Sequence, residues 1–496
     1  MINITKEREI LMKKILFVAS ECVPFVKTGG LADVVGSLPK NLYKAQCDTR
    51  VILPQYECMK EKYKSQLKSL CYFQMDNRIY VGINTLVLDG ITYYFVDNNQ
   101  YFSGPKPYFD LFSDLERFAY FAKAVLSALP LIGFRPDIIH AHDWQAALVP
   151  VYLNTIFQGD PFFRGIRTIM TIHNIRFQGC WNVGHLKWIS GLPAECFQPG
   201  KLVSPYQDTS LPFDEWNATM LRGGIVYSDW VTTVSESYAK EIQTPSFSDG
   251  LDDILKWRKD RLLGIVNGLD YEIWNPKTDK AIAKNYDKRN FWSGKKENKK
   301  ALQKKFGLPE DPDKFTLGLV SRLTDQKGLD LVDGIMDSLM REDVNLVVLG
   351  SGDERYENMF RYYAAKYPGK VAVLIGYDEE LSHLIYAGAD AFLVPSAFEP
   401  CGLTQLIALK YGTLPIVHEI GGLKDTVKPY NQYEHTGTGF SFAGYSSHEL
   451  LDRINHASWL YREQKEEWKA MEKRAMAEDW SWTESSRRYM DLYNSL

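Results

Sequence analysis

Short apolar runs alternate with amphipathic stretches along most of this chain, and the alternation predicts strands followed by helices. Lys14–Cys22 (KILFVASEC) reads as a buried parallel strand, with a helix from about Leu31. Residues 49–54 form a short second strand, and residues 79–97 alternate apolar and polar across Asp89-Gly90, a hairpin signal. A helix is expected over 115–129, a buried strand over 136–140, a helix over 146–157 and a strand over 167–172. From Gln178 to Glu215 the pattern is lost, and Gly, Pro and aromatics there predict a long functional loop with short helices. Trp230–Val234 is a strand, and Ser235 is placed to cap a helix over 236–243.

The rhythm restarts in the second half. Strands at 315–320, 344–349, 371–375, 391–395 and 414–418 alternate with helices at 329–341, 354–367, 379–387 and 402–411. Such order implies a parallel sheet covered on both faces. The charge-rich, apolar-poor segment 278–300 reads as a surface connection. The expected fold is therefore α/β, with two Rossmann-like, doubly wound domains facing across a cleft. Their expected extents are 13–263 and 264–478. Residues 479–496 form a last helix that returns to the first domain through Trp482, Tyr489, Leu492 and Tyr493. Residues 1–12 mix Lys, Arg and Glu and are expected to be a disordered extension.

Composition narrows the partners. The 496 residues are 45% hydrophobic and 24% charged, an ordinary globular balance, and the net charge of −4 argues against nucleic acid or an anionic membrane as partner. The 7 cysteines are scattered without a CxxC pair, which fits a reducing, cytoplasmic setting and neither a disulfide framework nor a zinc site. No apolar run approaches the roughly 18–20 residues of a membrane span. No signal core or transit peptide is seen; the expected setting is the cytoplasm, or the plastid stroma if the chain comes from a plant.

Candidate chemistry gathers where strands hand over to helices. Lys27 and the pair Gly29-Gly30 lie between the first strand and first helix, where backbone can approach a ligand and helix N–H groups point at it. Asp143, His173 and Asn174 stand at the carboxyl ends of later strands, the side on which open α/β sheets bind ligands. Arg322 and Lys327 follow the first strand of the second half, and Arg can grip a diphosphate bidentately. Glu399 precedes Pro400, read as lying in the first turn of a helix whose free amides could hold a polyhydroxylated or phosphorylated ligand. Each feature also has a plain reading: a tight turn, a structural His, a solvated loop, a capping Glu. Gly421-Gly422-Leu423-Lys424-Asp425 echoes Gly29 to Asp33. There is no GxGxxG, no Walker A sequence and no clustered Asp pair, which disfavours dinucleotide chemistry and metal-assisted phosphoryl transfer. A departing diphosphate steadied by fixed cations remains, as in nucleotide-sugar glycosyl transfer.

The motifs KTGGLADV (27–34), HAHDW (140–144), TIHN (171–174), NGLD (267–270), SRLTDQKG (321–328) and FEPCGLTQ (398–405) resemble, in order, the bacterial glycogen synthase and plant starch synthase family. The resemblance implies a GT-B fold and retaining transfer of glucose from ADP-glucose to the non-reducing end of an α-1,4-glucan, with no cofactor and no metal. It implies that Lys27, Gly29 and Gly30 sit at the donor phosphates and glucose, and that Asn174, Asn267 and Thr404 also bind donor. Asp33 and Asp143 would lie near the sugars and His173 beside the donor glucose. Arg322 and Lys327 would take the diphosphate, and Glu399 would steady the sugar's positive charge. Amides of Cys401, Gly402 and Leu403 would hold hydroxyls and phosphate. Many relatives carry His where this chain has Gln145, which bears on acceptor preference. The alternatives are a non-catalytic glucan-binding protein on the same fold, or the same enzyme using UDP-glucose.

Overall fold

A computed structural model describes residues 12–76 and 78–496, so the extension expected over 1–12 lies, apart from Met12, outside the described residues. The chain divides into two compact units. The first holds the chain up to Val234, Ala239–Ile265 and Ser485–Leu496, and the second holds Ser235–Tyr238 and Val266–Glu484.

In chain order the strands of the first unit are β1 (Lys14–Val18), β2 (Asp48–Pro54), β3 (Lys68–Met75), β4 (Ile79–Leu88), β5 (Ile91–Asp97), β6 (Ile138–His142), β7 (Arg167–Ile172), β8 (Cys180–Asn182), β9 (Asn217–Thr219), β10 (Trp230–Thr233) and β11 (Leu262–Gly264). Nine of them form one sheet in the order β11-β10-β7-β6-β1-β2-β5-β4-β3. All pairs are parallel except β3–β4 and β4–β5, the hairpin edge that the Asp89-Gly90 turn predicts. β8 and β9 make a separate antiparallel ribbon inside the long loop region. β1 stops at Val18, short of the expected Cys22, because the chain bends at Ser20 ahead of a helix over Gly30–Lys44.

The second unit contributes β12 (Phe315–Val320), β13 (Val344–Gly350), β14 (Val371–Ile375), β15 (Ala391–Val394), β16 (Leu414–His418) and β17 (Phe440–Phe442). They form a parallel sheet in the order β14-β13-β12-β15-β16-β17. That is the doubly wound order of dinucleotide-binding folds, built here without their glycine fingerprint. β12 and β15 lie on opposite sides of the reversal in strand order, as β1 and β6 do in the first sheet. Loops leaving such a pair of strands diverge and open a crevice at their carboxyl ends.

Two expectations are corrected. Residues 278–300 are not merely a surface connection: Phe291–Lys305 is a helix that buries Phe291, Gly294, Lys295, Asn298, Lys299, Leu302 and Gln303. The stripe has helical spacing, but most of it is polar, so hydrophobic periodicity missed it. Lys295 Nζ donates to the carbonyls of Ala389 (2.9 Å), Ala387 and Tyr411 (3.4 Å each) and to Thr413 Oγ1 (2.7 Å). Lys299 Nζ pairs with buried Asp390 at 2.6 Å and reaches Tyr461 Oη at 2.8 Å. The second correction concerns the helix expected from Gly402. It begins at Thr404, so Pro400 lies in the turn ahead of it, where its carbonyl accepts the Ser235 hydroxyl at 2.6 Å.

The last helix, Trp482–Asn494, spans the end of one unit and the tail of the other. Tyr489 and Tyr493 are fully buried in the first unit, and Tyr493 Oη bonds His140 Nδ1 at 2.8 Å. Trp482 packs in the second unit, where a Cβ on Gly268 would come within 2.5 Å of its backbone.

Removing the Lys299 ammonium strands a buried carboxylate. Lys299→Met should therefore cost about 3–5 kcal/mol, read as a fall in the urea unfolding midpoint, with little effect from Lys300→Met, a half-exposed control on the same helix.

Candidate active site

In the first unit the turn after β1 is held by a residue that the sequence did not single out. Glu21, 4% exposed, accepts hydrogen bonds from the Thr28 amide, the Thr28 hydroxyl (2.6 Å), the Gly29 amide (3.2 Å) and Tyr108 Oη (2.7 Å). The Tyr108 hydroxyl also meets Ser20 Oγ at 2.7 Å, and burial pushes its pKa far up, so it stays a phenol. A Cβ on Gly29 would meet nothing within 4 Å, leaving open space at the helix start. Lys27 and Asp33 pair at 2.7 Å with both side chains partly exposed.

Across the strand reversal, Asp143 opens a helix with φ of 56°, a left-handed conformation that a non-glycine residue keeps only when its surroundings impose it. Its Oδ1 accepts from the amides of His173 (2.7 Å) and Asn174 (3.4 Å), which fixes β7's end to β6's end. Burial raises the Asp143 carboxyl to about 7, against the lowering pull of those two amides. Asn174 Oδ1 in turn accepts from the Arg176 amide at 3.1 Å. His173 Nε2 lies 3.0 Å from His142 Nδ1, and the His142 ring stacks on His140 at 4.2 Å. His140 Nε2 meets Thr171 Oγ1 at 2.5 Å. Burial holds His140 and His173 down to about 3 and His142 well below the usual imidazole range, so all three rings are neutral. Gln145 is 9% exposed, and its Oε1 has no partner among the described residues.

In the second unit the loops after β12 and β15 are stitched together. The Ala397 amide donates to the Gln326 carbonyl at 3.0 Å, and the Gln326 side chain donates to the Phe398 carbonyl at 2.9 Å. This brings Lys327 Nζ to 2.6 Å from Glu399 Oε2, which also accepts from Ser396 Oγ at 3.0 Å. Gly328 has φ of 65°, and a Cβ there would lie 2.0 Å from the Pro395 carbonyl, so only glycine allows the approach. Arg322 is exposed, and its guanidinium has no hydrogen-bond or ion-pair partner among the described residues.

The turn 400–403 is fixed from below. Gln405 Nε2 donates to the carbonyls of Cys401 and Gly402, each at 2.9 Å, and the Gly422 amide donates to the Glu399 carbonyl at 3.1 Å. No side chain caps the helix that starts at Thr404, with Leu403 at its cap position. Asn267 is buried beside Cys401, whose thiol burial pushes up to about 12. The structure therefore assembles Lys27, Gly29, Gly30 and Asp33 in one cluster and Asp143, His173 and Asn174 in a second. Asn267, Lys327, Glu399 and residues 401–404 make a third, with Arg322 on the same loop. Among the described residues no group of three or more His, Cys, Asp or Glu side chains is placed to hold a metal ion.

Comparison with known proteins fits this geometry. A family model described as "Starch synthase catalytic domain" matches residues 14–257, and one described as "Glycosyl transferases group 1" matches 299–475. A glycogen synthase of Lachnospira eligens is 54% identical over 488 residues, covering 98% of this chain and all of that protein. The chain belongs to the glycogen synthase family. A second family member, from Lachnoclostridium phytofermentans, is 51% identical over 98% of this chain and all of its own length. The catalytic domain of starch synthase IV from Arabidopsis thaliana, solved with ADP and acarbose, superposes with a TM-score of 0.87 at 31% identity. That match covers 98% of this chain and 99% of that one. The two-unit α/β architecture is that of the GT-B glycosyltransferases.

The neutral histidine stack gives a pH prediction. His140 and His173 are near 3 in the fold against 6.5 when unfolded, so the unfolded chain binds more protons as pH falls below about 6.5. Stability should be full above that value and decline toward pH 3, by roughly 2 kcal/mol per ring at pH 5. Denaturant unfolding at pH 7.5 and pH 5 should show the loss, and His140→Gln should reduce it.

Proposed function

We propose that this chain transfers glucose from ADP-glucose to the non-reducing end of an α-1,4-glucan with retention of configuration. The observation that carries the reading is the 2.6 Å Lys327–Glu399 pair at the strand reversal of the second sheet, with the Arg322 cation unengaged on the same loop. Two cations on one loop suit a diphosphate leaving group, and a carboxylate beside them suits a sugar carbon that becomes positive as the group departs. The ion pair keeps Lys327 aimed before any donor arrives, so little reorganisation is needed when the phosphate binds.

On this reading Arg322 and Lys327 hold the diphosphate, the turn 401–404 with Asn267 receives phosphate and hydroxyls, and Glu399 faces the reacting carbon. In the first unit Lys27, Gly29, Gly30 and Asn174 serve the donor, while Asp33, Asp143 and His173 serve the sugars. The acceptor hydroxyl attacks the anomeric carbon on the face the diphosphate leaves. The bond from that carbon to the phosphate oxygen breaks, its electron pair stays with the oxygen, and that oxygen takes the acceptor's proton. On this reading Asp143, whose carboxyl burial raises to about 7, partners sugar hydroxyls in either protonation state. The ADP in the starch synthase IV structure supports an adenine donor, and 7 free cysteines suit a cytoplasmic enzyme.

Initial rates of transfer to glycogen from ADP-glucose and UDP-glucose test this directly. A large ADP preference is expected, a UDP preference overturns the donor assignment, and no transfer from either overturns the reading. Arg322→Ala and Lys327→Ala should each lower kcat by about 10²–10³. Full turnover in either would remove that residue from the diphosphate clamp.

A further inference from the structure

The histidine stack of the first unit contains a residue that the transfer chemistry leaves without a role. His142 ends β6, is fully buried and packs against three rings. Phe17 of β1 stacks on it at 5.5 Å, His140 at 4.2 Å, and His173 tilts against it at 5.3 Å. These contacts fix the plane and the position of its imidazole. Its Nδ1 meets His173 Nε2 at 3.0 Å. Its Nε2 is buried and has no partner among the described residues.

His142 and His173 are both neutral, so each ring carries one N–H and one lone pair. Their contact allows two proton arrangements. In the first, His142 Nδ1–H donates to a lone pair on His173 Nε2, and His142 Nε2 keeps a lone pair. In the second, His173 Nε2–H donates, and the His142 proton moves to Nε2, where no acceptor meets it. A buried N–H without an acceptor is the rarer defect in folded chains. The neighbouring His140 ring does not relieve it, because Tyr493 Oη engages its Nδ1 at 2.8 Å and Thr171 Oγ1 its Nε2 at 2.5 Å. The first arrangement is the better satisfied.

That arrangement decides the state of His173. With Nε2 as acceptor, the proton of that ring sits on Nδ1, which has no hydrogen-bond partner among the described residues and is not sealed from solvent. His173 thus keeps an unused donor, and its backbone amide donates to Asp143 Oδ1 at 2.7 Å. A sugar hydroxyl both donates and accepts, so a carboxylate and an imidazole N–H can engage it together.

We propose that His142 is a positioning residue for sugar transfer: its Nδ1–H holds the His173 proton on Nδ1, so that His173 presents a donor to a sugar hydroxyl. The inference rests on the reading that His173 serves the sugars, and deepens it. Which nitrogen of an imidazole is protonated is set by the hydrogen bond that the other one makes. A donor fixed before the sugar arrives needs no rearrangement during the reaction.

NMR of the full chain without substrate, with its 9 histidines labelled with nitrogen-15, reads the proton positions directly. His142→Asn and His173→Asn assign the two rings by loss of their signals. At pH 7.5 both rings should show a protonated Nδ1 and a bare Nε2, and a protonated Nε2 on His173 overturns the inference. His142→Phe keeps a stacked ring without the donor, so kcat with ADP-glucose and glycogen should fall about 10- to 100-fold. His142→Asn places an amide N–H near the Nδ1 position and should restore most of the lost turnover. Full turnover in His142→Phe overturns the role. A His142→Asn enzyme as slow as His142→Phe also overturns it, since packing of the ring and not its proton would then matter. The NMR measurement needs no substrate, so the expected tautomers in a chain that transfers no glucose are a failure of the proposed function instead.

Discussion

Glu399 is the residue on which the second unit's chemistry depends, because it ties together three strand ends at once. Its carboxylate takes Lys327 from the loop after β12 and Ser396 from the loop after β15. Its backbone carbonyl accepts the amide of Gly422, in the helix after β16. A carboxylate that is 7% exposed is stable in this position only with such partners. Once they are in place, the turn that follows has little freedom, and Gln405 closes it from the other side. The close approach at Gly422, where a Cβ would lie 2.1 Å from the Cys401 carbonyl, follows from the same packing.

The two units solve the same problem differently. Each starts a helix at a glycine pair beyond a parallel strand, at Gly29-Gly30 and at Gly421-Gly422. In the first unit the side chain of Glu21 engages the amides of Thr28 and Gly29, so a charged group from the same loop supports the helix start. In the second the corresponding support is main-chain, from the carbonyl of Glu399 to Gly422, which leaves the Glu399 carboxylate for Lys327. The echo in sequence is thus an echo of backbone geometry, while the electrostatics around it differ.

Much of this was legible in the chain because parallel strands make strand ends easy to find. Runs such as 344–349 and 391–395 are apolar throughout, and the polar residues that follow them mark the ligand side of the sheet. What was not legible has two physical causes. Glu21 and Tyr108 meet across 87 positions of sequence, and a lone Glu after a strand gives no hint of which amides it will bind. The helix Phe291–Lys305 was hidden because Lys295, Asn298 and Lys299 face inward to carbonyls and a carboxylate, where a periodicity argument looks for hydrocarbon. His140 and His142 fall between these cases. Their i, i+2 spacing puts both rings on one face of β6, but their neutrality comes from burial first and from the neighbouring imidazoles second.

The division of the chain has a consequence for how the protein comes off the ribosome. The first unit needs Ser485–Leu496, whose Tyr493 hydroxyl supplies a hydrogen bond to His140 in the middle of its sheet and whose Arg488 reaches the Gly264 carbonyl at 2.9 Å. Most of that unit is synthesised early, while nearly all of the second unit is still to come. Until residues 485–496 are made, the early portion lacks the Tyr493 partner of His140 beside β6. The second unit, by contrast, holds nearly all of its own sequence in one stretch and can close first. The unit whose sequence begins first is thus the later of the two to have all of its residues.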